Sequence, residues 1–422
     1  MKTYDFAYGR GRKEFSIDES LVIKEVRTEE FTPMSDIKQG VLDAIYNPIG
    51  CEPIDKIIKP GDTVAFICND PTRVANSYDF MPVLVNEFNK LGVKDEDMHI
   101  VFSLGTHRDM THEEMVEAVG EEVSSRLKMY NSTATKDEDF EYFGTTSRGT
   151  PVWINKHLCH VDHVILTGTI VHHYFSGYGG GRKAILPGCA AMETVRVNHS
   201  FMLDKNAGLG RTVGNPCYED QMEGVALFAK GRSLFLFNAI LNAKHEFLRM
   251  FAGDYIAAHK EACKFVDEVY GCVIPKLADL VIASCGGFPK DISLYQGTKT
   301  IDNVESALKP GGTLVLMIEA PEGGGPAEYF DWSKNLQDGT IEQRLREAFT
   351  VAGYIFFLNC EQAQRYRIFM YSSIDPQTVA PMGIHAFSDM DALLKAAELD
   401  GKSTYIIPNG STVIPRVKGE TL

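Results

Sequence analysis

Three short apolar runs, each followed by a polar or glycine-containing turn, do most to restrict how this chain can fold. They are Asp62-Thr-Val-Ala-Phe-Ile-Cys68, His99-Ile-Val-Phe-Ser103 and Val161-Asp-His-Val-Ile-Leu-Thr167. Each is apolar nearly throughout rather than alternating, which is the pattern of a strand covered on both faces. Between them a helical pattern runs from about Phe80 to Leu91, and Thr111 with Glu114 three residues on forms a capping box for a further helix. Strands alternating with helices imply a parallel sheet. Ligands of such sheets bind beyond the carboxyl ends of the strands. Asp70 and Arg73, His107 and Arg108, and His172 and His173 each lie just past one of these runs. The sheet is therefore expected to bring them to one edge.

The chain has 422 residues, too many for one ordinary core. Its opening, Tyr4 to Val26, alternates around Gly9 and Gly11 as a hairpin at a sheet edge does, and Ser35 can cap a helix through about Tyr46. A helical pattern dominates from about Met192 to Tyr270, with a break from Gly208 to Pro216. Near Val273 the alternation restarts: strand Leu280 to Ser284, helix Asp291 to Leu308, turn Lys309 to Gly312, strand Thr313 to Ile318. The tail from Tyr405 to Pro415 reads as strand, turn, strand. The expected fold class is α/β, with two α/β domains of mainly parallel sheets: an N-terminal domain over 1–272 and a C-terminal domain over 273–422.

A formal net charge of −15 argues against a nucleic-acid partner, although a local cluster of Arg, Lys and His can still be positive. The nine cysteines are an odd number and contain no C-x-x-C pair, which argues against a disulfide framework or a cysteine zinc site and fits a reducing cytosol. The first residues lack the apolar stretch of a signal peptide, and no apolar run approaches membrane-spanning length. A soluble cytoplasmic protein is expected, with neither nucleic acid nor membrane as partner.

Chemistry concentrates between His172 and His199. Gly177, Gly179, Gly180 and Gly181 allow close backbone approach to a ligand, and Arg182 and Lys183 add charge where amides can cradle an anion. The bland alternative is a flexible turn with a solvated Arg-Lys pair. The segment is neither a Walker loop nor G-x-G-x-x-G, since Lys183 precedes Ala184 rather than Ser or Thr. A lysine beside another cation and partly desolvated loses its proton readily and becomes a nucleophile toward a cofactor carbon. His107 and the His172-His173 doublet offer two imidazoles, suited to a base on one side of a substrate and an acid on the other. A lone histidine is more often structural, and His157, His160 and His163 are read that way. His199, read at a helix start, is a candidate metal ligand without a supporting protein cluster. Arg73 can pair with a carboxylate and Asp70 can orient a hydroxyl, or the two form an ordinary turn. Tyr295 and Lys299 share a helix face with Gln296 beside them, a surface able to hold a carboxylate or simply be solvated.

Together these residues resemble the lactate racemase family that uses the nickel-pincer nucleotide. The match takes in Asp70-Pro-Thr-Arg73, Gly105-Thr-His-Arg108, His173 to Pro187 with Lys183, Asn198-His199 and Tyr295-Gln-Gly-Thr-Lys299, in the family's order and spacing. The resemblance implies two α/β domains with the active site in the interdomain cleft. It implies a cofactor that is a pyridinium-3,5-bisthiocarboxylic acid mononucleotide carrying nickel. Lys183 would hold it through a thioamide bond, His199 would be the single protein ligand to nickel, and the amides of Gly177 to Gly181 with Arg182 would hold its phosphate. His107 and His173 would be the alternating acid and base: one takes the hydroxyl proton of a 2-hydroxy acid while the pincer accepts the α-hydrogen as hydride, and the transient keto acid is reduced on its other face. Arg73, Gln296 and Lys299 would hold the carboxylate, with Tyr295 and Asp70 shaping the site. Cofactor-biosynthesis proteins are implied as partners. Tyr178-Gly179 departs from the family's frequent Phe-Ser, and the ten-residue spacing to Lys183 selects His173 over His172.

The expected activity is racemisation or epimerisation of a 2-hydroxy acid. Lactate is the favoured substrate if Tyr354, Phe356 and Phe357 form a small apolar pocket, and a buried strand is the other reading of those aromatics. A nicotinamide-dependent 2-hydroxyacid oxidoreductase also suits α/β domains and glycine loops, but lacks its G-x-G-x-x-G here. A non-catalytic nucleotide-binding protein would leave both histidines without a purpose.

Overall fold

The structure, a computed structural model, describes residues 1–70 and 73–418, the side chain of Asp137 apart. Its strands, numbered here in chain order, begin with β1 (Lys2–Tyr8), β2 (Gly11–Ile17) and β3 (Val22–Glu25). Then come β4 (Val64–Asn69), β5 (Met98–Gly105), β6 (Lys128–Thr133), β7 (His163–Thr169), the short β8 (His172–His173) and β9 (Ser176–Tyr178), β10 (Ser233–Leu241) and β11 (Phe247–Asp254). Five that follow are β12 (Ala278–Ser284), β13 (Leu308–Met317), β14 (Arg367–Tyr371), β15 (Ile384–Phe387) and β16 (Thr404–Ile407).

Residues 30–267 form one compact unit. Its six-stranded sheet has the order β11-β10-β7-β4-β5-β6, parallel except for the β10–β11 hairpin. The continuous apolar runs are explained by burial on both faces. Val64, Phe66 and Cys68 of β4 enter one core with Phe80, Leu84 and Phe88, whereas Ala65 and Ile67 enter another with Ile185, Leu186 and Val225. The capping box at Thr111 and Glu114 forms as expected.

The helical reading of 192–270 needs correction. Helices α1 (Met192–Ser200), α2 (Pro216–Ala229) and α3 (Ala257–Tyr270) are present, but β10 and β11 lie between α2 and α3. An apolar run such as Ser-Leu-Phe-Leu-Phe-Asn-Ala-Ile-Leu has no period that separates a buried helix from a doubly covered strand. Here Phe235, Phe237 and Ala239 face one core and Leu236 the other, an alternation visible only once the sheet exists. His199 likewise falls near the end of α1, not at a helix start. The helix expected from Ser35 is capped instead by Asp36, whose side chain accepts from Gln39 N at 2.9 Å.

The second unit comprises residues 1–29 and 268–422. Its six-stranded sheet, order β15-β14-β13-β12-β16-β3, is parallel throughout. The sequence division ran the first domain from residue 1, whereas the structure groups residues 1–29 with the C-terminal part. The reason lies in long-range contacts: β3 pairs with β16, and Phe6, Phe15 and Ile17 of the β1–β2 hairpin pack with Leu280, Ile282 and Val315. Helix α4 (Leu294–Val304) follows β12. Tyr354 and Phe356 lie buried on the helix Val351–Arg365, with Phe356 edge-on to Tyr329 at 5.4 Å. Those two are buried residues of a helix, which overturns the reading of them as a strand.

Candidate active site

In the unit of residues 30–267 the connection order reverses between β4 and β7: β5 and β6 extend one way from β4, and β7, β10 and β11 the other. A crevice opens at such a reversal, at the carboxyl ends of the strands. Asp70 follows β4 and is buried. His107 follows β5, held by its amide on Leu104 O (2.9 Å), with its side chain 48% exposed. Its Nδ1 lies 3.4 Å from Asp70 Oδ2, so a proton on Nδ1 faces the carboxylate and Nε2 is left to exchange. Gly105 N donates to Gly188 O (2.9 Å) and Gly188 N to Lys183 O (3.0 Å), which ties the His107 turn to the segment carrying Lys183.

Past β7 the chain makes the antiparallel pair β8–β9, in which His173 is opposite Gly177. Phe175, buried between these strands, is a hub. The His173 ring lies 4.5 Å from it, the His199 ring 5.0 Å, and Lys183 Nζ 5.3 Å from its centre. Loss of water around them, together with neighbouring positive charge, pushes all three toward their neutral forms. His173 falls well below the usual histidine value through burial and then Lys183, Arg73, His199 and Arg182. Lys183 falls well below the usual lysine value through burial and then Arg73 and Arg182. Burial, followed by Lys183, lowers His199 to about 3. Arg73 thus acts on both His173 and Lys183, although Pro71 and Thr72 of its motif lie outside the described residues. His172 turns away, to Asp267.

The structure gives the glycine loop a different physical explanation from the one its sequence suggests. The Gly179 amide donates to Val171 O and the Gly181 amide to Asn238 Oδ1, both at 2.8 Å. Both amides are engaged within the chain. Gly177 and Gly181 have positive φ, and a Cβ on them would stand 2.2 Å from Arg211 O and 2.5 Å from His259 Cδ2. Gly179 is open by comparison, with its nearest neighbour at 3.6 Å. Gly181→Ala is therefore expected to cost about 1–3 kcal/mol, whereas Gly179→Ala stays within about 0.5 kcal/mol of the parent, as chemical denaturation would measure. Arg182 is only 1% exposed; its Nη2 donates to Ser176 O (2.7 Å) and Tyr178 O (3.3 Å), and its guanidinium stacks 3.9 Å from the Tyr218 ring. Arg182 knits the loop together.

Several residues that the sequence reading passed over hold this site in place. Asp220, fully buried on α2, accepts from Thr146 (2.6 Å), Thr150 (2.8 Å) and Asn198 Nδ2 (2.8 Å). Gln221 Nε2 bridges Asn198 Oδ1 (2.9 Å) and Ser176 Oγ (3.1 Å), joining the helix that carries His199 to the strand after His173. Asn215 caps α2 and donates to Phe175 O at 2.8 Å. The available signal was Asn215-Pro216, a cap followed by proline at the first helical turn. Buried polar groups far apart in sequence leave no such signal.

His259 on α3 donates from Nε2 to Gly179 O (2.9 Å), and burial lowers it to about 4. Between its ordinary value near 6.5 and about 4, the unfolded chain binds a proton that the folded chain does not. Stability therefore falls as pH drops through this window, by up to about 1.4 kcal/mol per pH unit for this group. His259→Gln should flatten the dependence of melting temperature on pH between 6.5 and 4.

In the other unit, Ser293 caps α4, on which Tyr295 and Gln296 are partly buried and Lys299 is exposed, with Tyr295 and Lys299 one turn apart. Among the described residues no cluster of three or more His, Cys, Asp or Glu is placed to hold a metal. His199 supplies one neutral imidazole, so a metal there needs donors from outside the chain. Lys183 and His199 fit a covalently attached, metal-bearing cofactor; the amides of Gly179 and Gly181, already engaged, do not fit a phosphate.

Imidazoles and a lysine grouped beside the reversal point of a parallel sheet mark the site of an α/β enzyme. Residues 8–210 match the family model of the lactate racemase N-terminal domain, and residues 273–415 that of the lactate racemase C-terminal domain. The chain belongs to the lactate racemase family, and the enzyme is an isomerase of the racemase type. The lactate racemase of Thermoanaerobacterium thermosaccharolyticum is 28% identical over 99% of this chain and 100% of its own length. That of Lactiplantibacillus plantarum is 28% identical over 89% of this chain and 90% of its own. The structure of the T. thermosaccharolyticum lactate racemase apoprotein superposes with a TM-score of 0.86 at 27% identity, covering 98% of this chain and 100% of that one. A Thermotoga maritima protein, at 18% identity and a TM-score of 0.63 over 90% of this chain and 97% of its own, shares the fold.

Proposed function

We propose that this racemase inverts lactate, using a nickel-pincer nucleotide attached to Lys183. The observation that carries the reading is the grouping of Lys183, His173 and His199 around the Phe175 ring, each pushed toward its neutral form. An amine without its proton has the electron pair needed to bond a cofactor carbon. A neutral imidazole is the form that binds nickel. When bound, the cofactor supplies an acceptor for the α-hydrogen with its electron pair. The chain supplies everything that holds the substrate and moves its other proton. Arg73, Gln296 and Lys299 bind the carboxylate, and Tyr295 shapes the site. His107, with Asp70 behind its Nδ1, exchanges the hydroxyl proton at Nε2. His173, whose Nδ1 accepts from Ser176 N at 3.3 Å, exchanges it on the opposite face. Gly177, Gly179, Gly180, Gly181 and Arg182 serve the cofactor by shaping the seat of Lys183.

The nine free thiols, eight of them buried, support a cytoplasmic location, and no helix among the described residues is long and apolar enough to cross a membrane. Proteins that build the cofactor would be the partners. The test is intact mass after coexpression with such enzymes, alongside a chiral assay over a panel of 2-hydroxy acids. An adduct that maps to Lys183, with lactate the fastest substrate, is the expected result. No adduct and no inverted product would sink the reading, and net NAD-linked keto acid would favour an oxidoreductase.

A further inference from the structure

We infer that Asp267 is a positioning residue for His173, acting through His172 and Tyr178; this rests on the reading of His173 as an acid–base group. Asp267 Oδ1 lies 2.8 Å from His172 Nε2 and accepts the Tyr178 hydroxyl at 2.8 Å. His172 and Tyr178 are register partners across β8 and β9, so one carboxylate oxygen clips both strands of the pair. The next register pair is His173 and Gly177. Successive side chains on a strand point to opposite faces, so drawing His172 toward α3 turns His173 toward Phe175 and the charges of Lys183 and Arg73.

The same helix face grips the loop twice. His259 and Asp267 are two turns apart on α3, with Cys263 between them at 3.5 Å from His259 Nδ1. His259 holds Gly179 O, just beyond the strand end that Asp267 clips. Helix α3 is thus a rigid backing for the segment from His172 to Gly181. A ring that must meet a substrate to within a fraction of an ångström needs such a backing.

The test compares Asp267→Ala, Asp267→Asn and Tyr178→Phe in two assays. One is the rate at which diethyl pyrocarbonate modifies His173 in the apoprotein, read by peptide mass. The other is kcat and KM of the loaded enzyme. Asp267→Ala should change His173 reactivity by about three-fold or more and lower kcat about 10- to 100-fold with KM nearly constant. Asp267→Asn keeps an oxygen that accepts from both partners and should keep at least about half of kcat. Tyr178→Phe should fall between them. Unchanged His173 reactivity in Asp267→Ala overturns the inference. So does equal loss in the Asn and Ala variants with a common fall in melting temperature. If Asp267→Ala does not fold, unchanged His173 reactivity in Tyr178→Phe overturns it instead. A wild-type enzyme without racemisation removes the proposed function, while the His173 comparison still decides the role of Asp267.

Discussion

Lys183→Met is expected to abolish racemisation and the cofactor adduct while making the apoprotein more stable. The loss of activity should exceed about 1,000-fold, because the substitution removes the proposed attachment point of the group that would carry the chemistry. The gain in stability follows from the lysine's surroundings. Its Nζ sits over the Phe175 ring near Arg73 and Arg182, and its proton affinity falls well below the usual lysine value. Below the ordinary lysine value near 10.5 the unfolded chain binds a proton that the folded chain gives up, so this group makes stability rise with pH. Each pH unit in that window is worth up to about 1.4 kcal/mol. Methionine has no proton to lose and fills nearly the same space. A rise in melting temperature at pH 7 is expected, shrinking as pH approaches 10. Thermal melts across pH measure it; a variant less stable than the parent at pH 7 would contradict the account of Lys183.

The second large effect concerns the two imidazoles. His107→Gln and His173→Gln should each reduce racemisation about 100- to 10,000-fold, the usual contribution of a positioned acid or base. The two should differ in what survives. Each variant keeps one exchanging group, so each should still turn one lactate enantiomer into bound 2-keto acid in a single turnover, the opposite enantiomer in the two cases. Rapid-quench analysis with D- and L-lactate reads this directly. Equal behaviour of both variants toward both enantiomers would refute the two-sided assignment, and full racemisation in either would remove that residue from the reaction. The surroundings give the pair its asymmetry. Asp70 stands behind Nδ1 of His107, whereas His173 is closed in by Phe175 and by cations.

Much of the fold was legible because burial on both faces leaves its mark on composition. Val64 to Cys68 and Val164 to Thr167 carry scarcely a polar residue, and strands of that kind occur in covered parallel sheets. The same property hid β10 and β11. Without a period, a run such as Phe235-Leu-Phe-Asn-Ala-Ile240 fits a buried helix as well as a buried strand. The grouping of residues 1–29 with the C-terminal unit was also invisible. It depends on the pairing of β3 with β16, contacts nearly 400 residues apart that no local pattern records.

For the site, sequence singled out the candidate reactive groups but not what restrains them. Asp70, His107, His173, Lys183 and His199 stand out because imidazoles, carboxylates and amines are conspicuous after apolar strands. Asp220, Gln221 and His259 do not, since each is an ordinary polar residue on a helix until the fold buries it, and Asp267 stands out only through its contact with His172. The glycines show the limit most clearly. Sequence alone determined that Gly177, Gly179, Gly180 and Gly181 leave the backbone open to close approach. Only the tertiary structure decided why: Arg211 and His259 occupy the space where Cβ atoms at Gly177 and Gly181 would be, and two of the loop's amides are engaged by the chain itself. Hydrogen-bond partners and excluded volume are properties of the packed chain, so a string of residue types can announce the need for glycine but cannot say what fills the space.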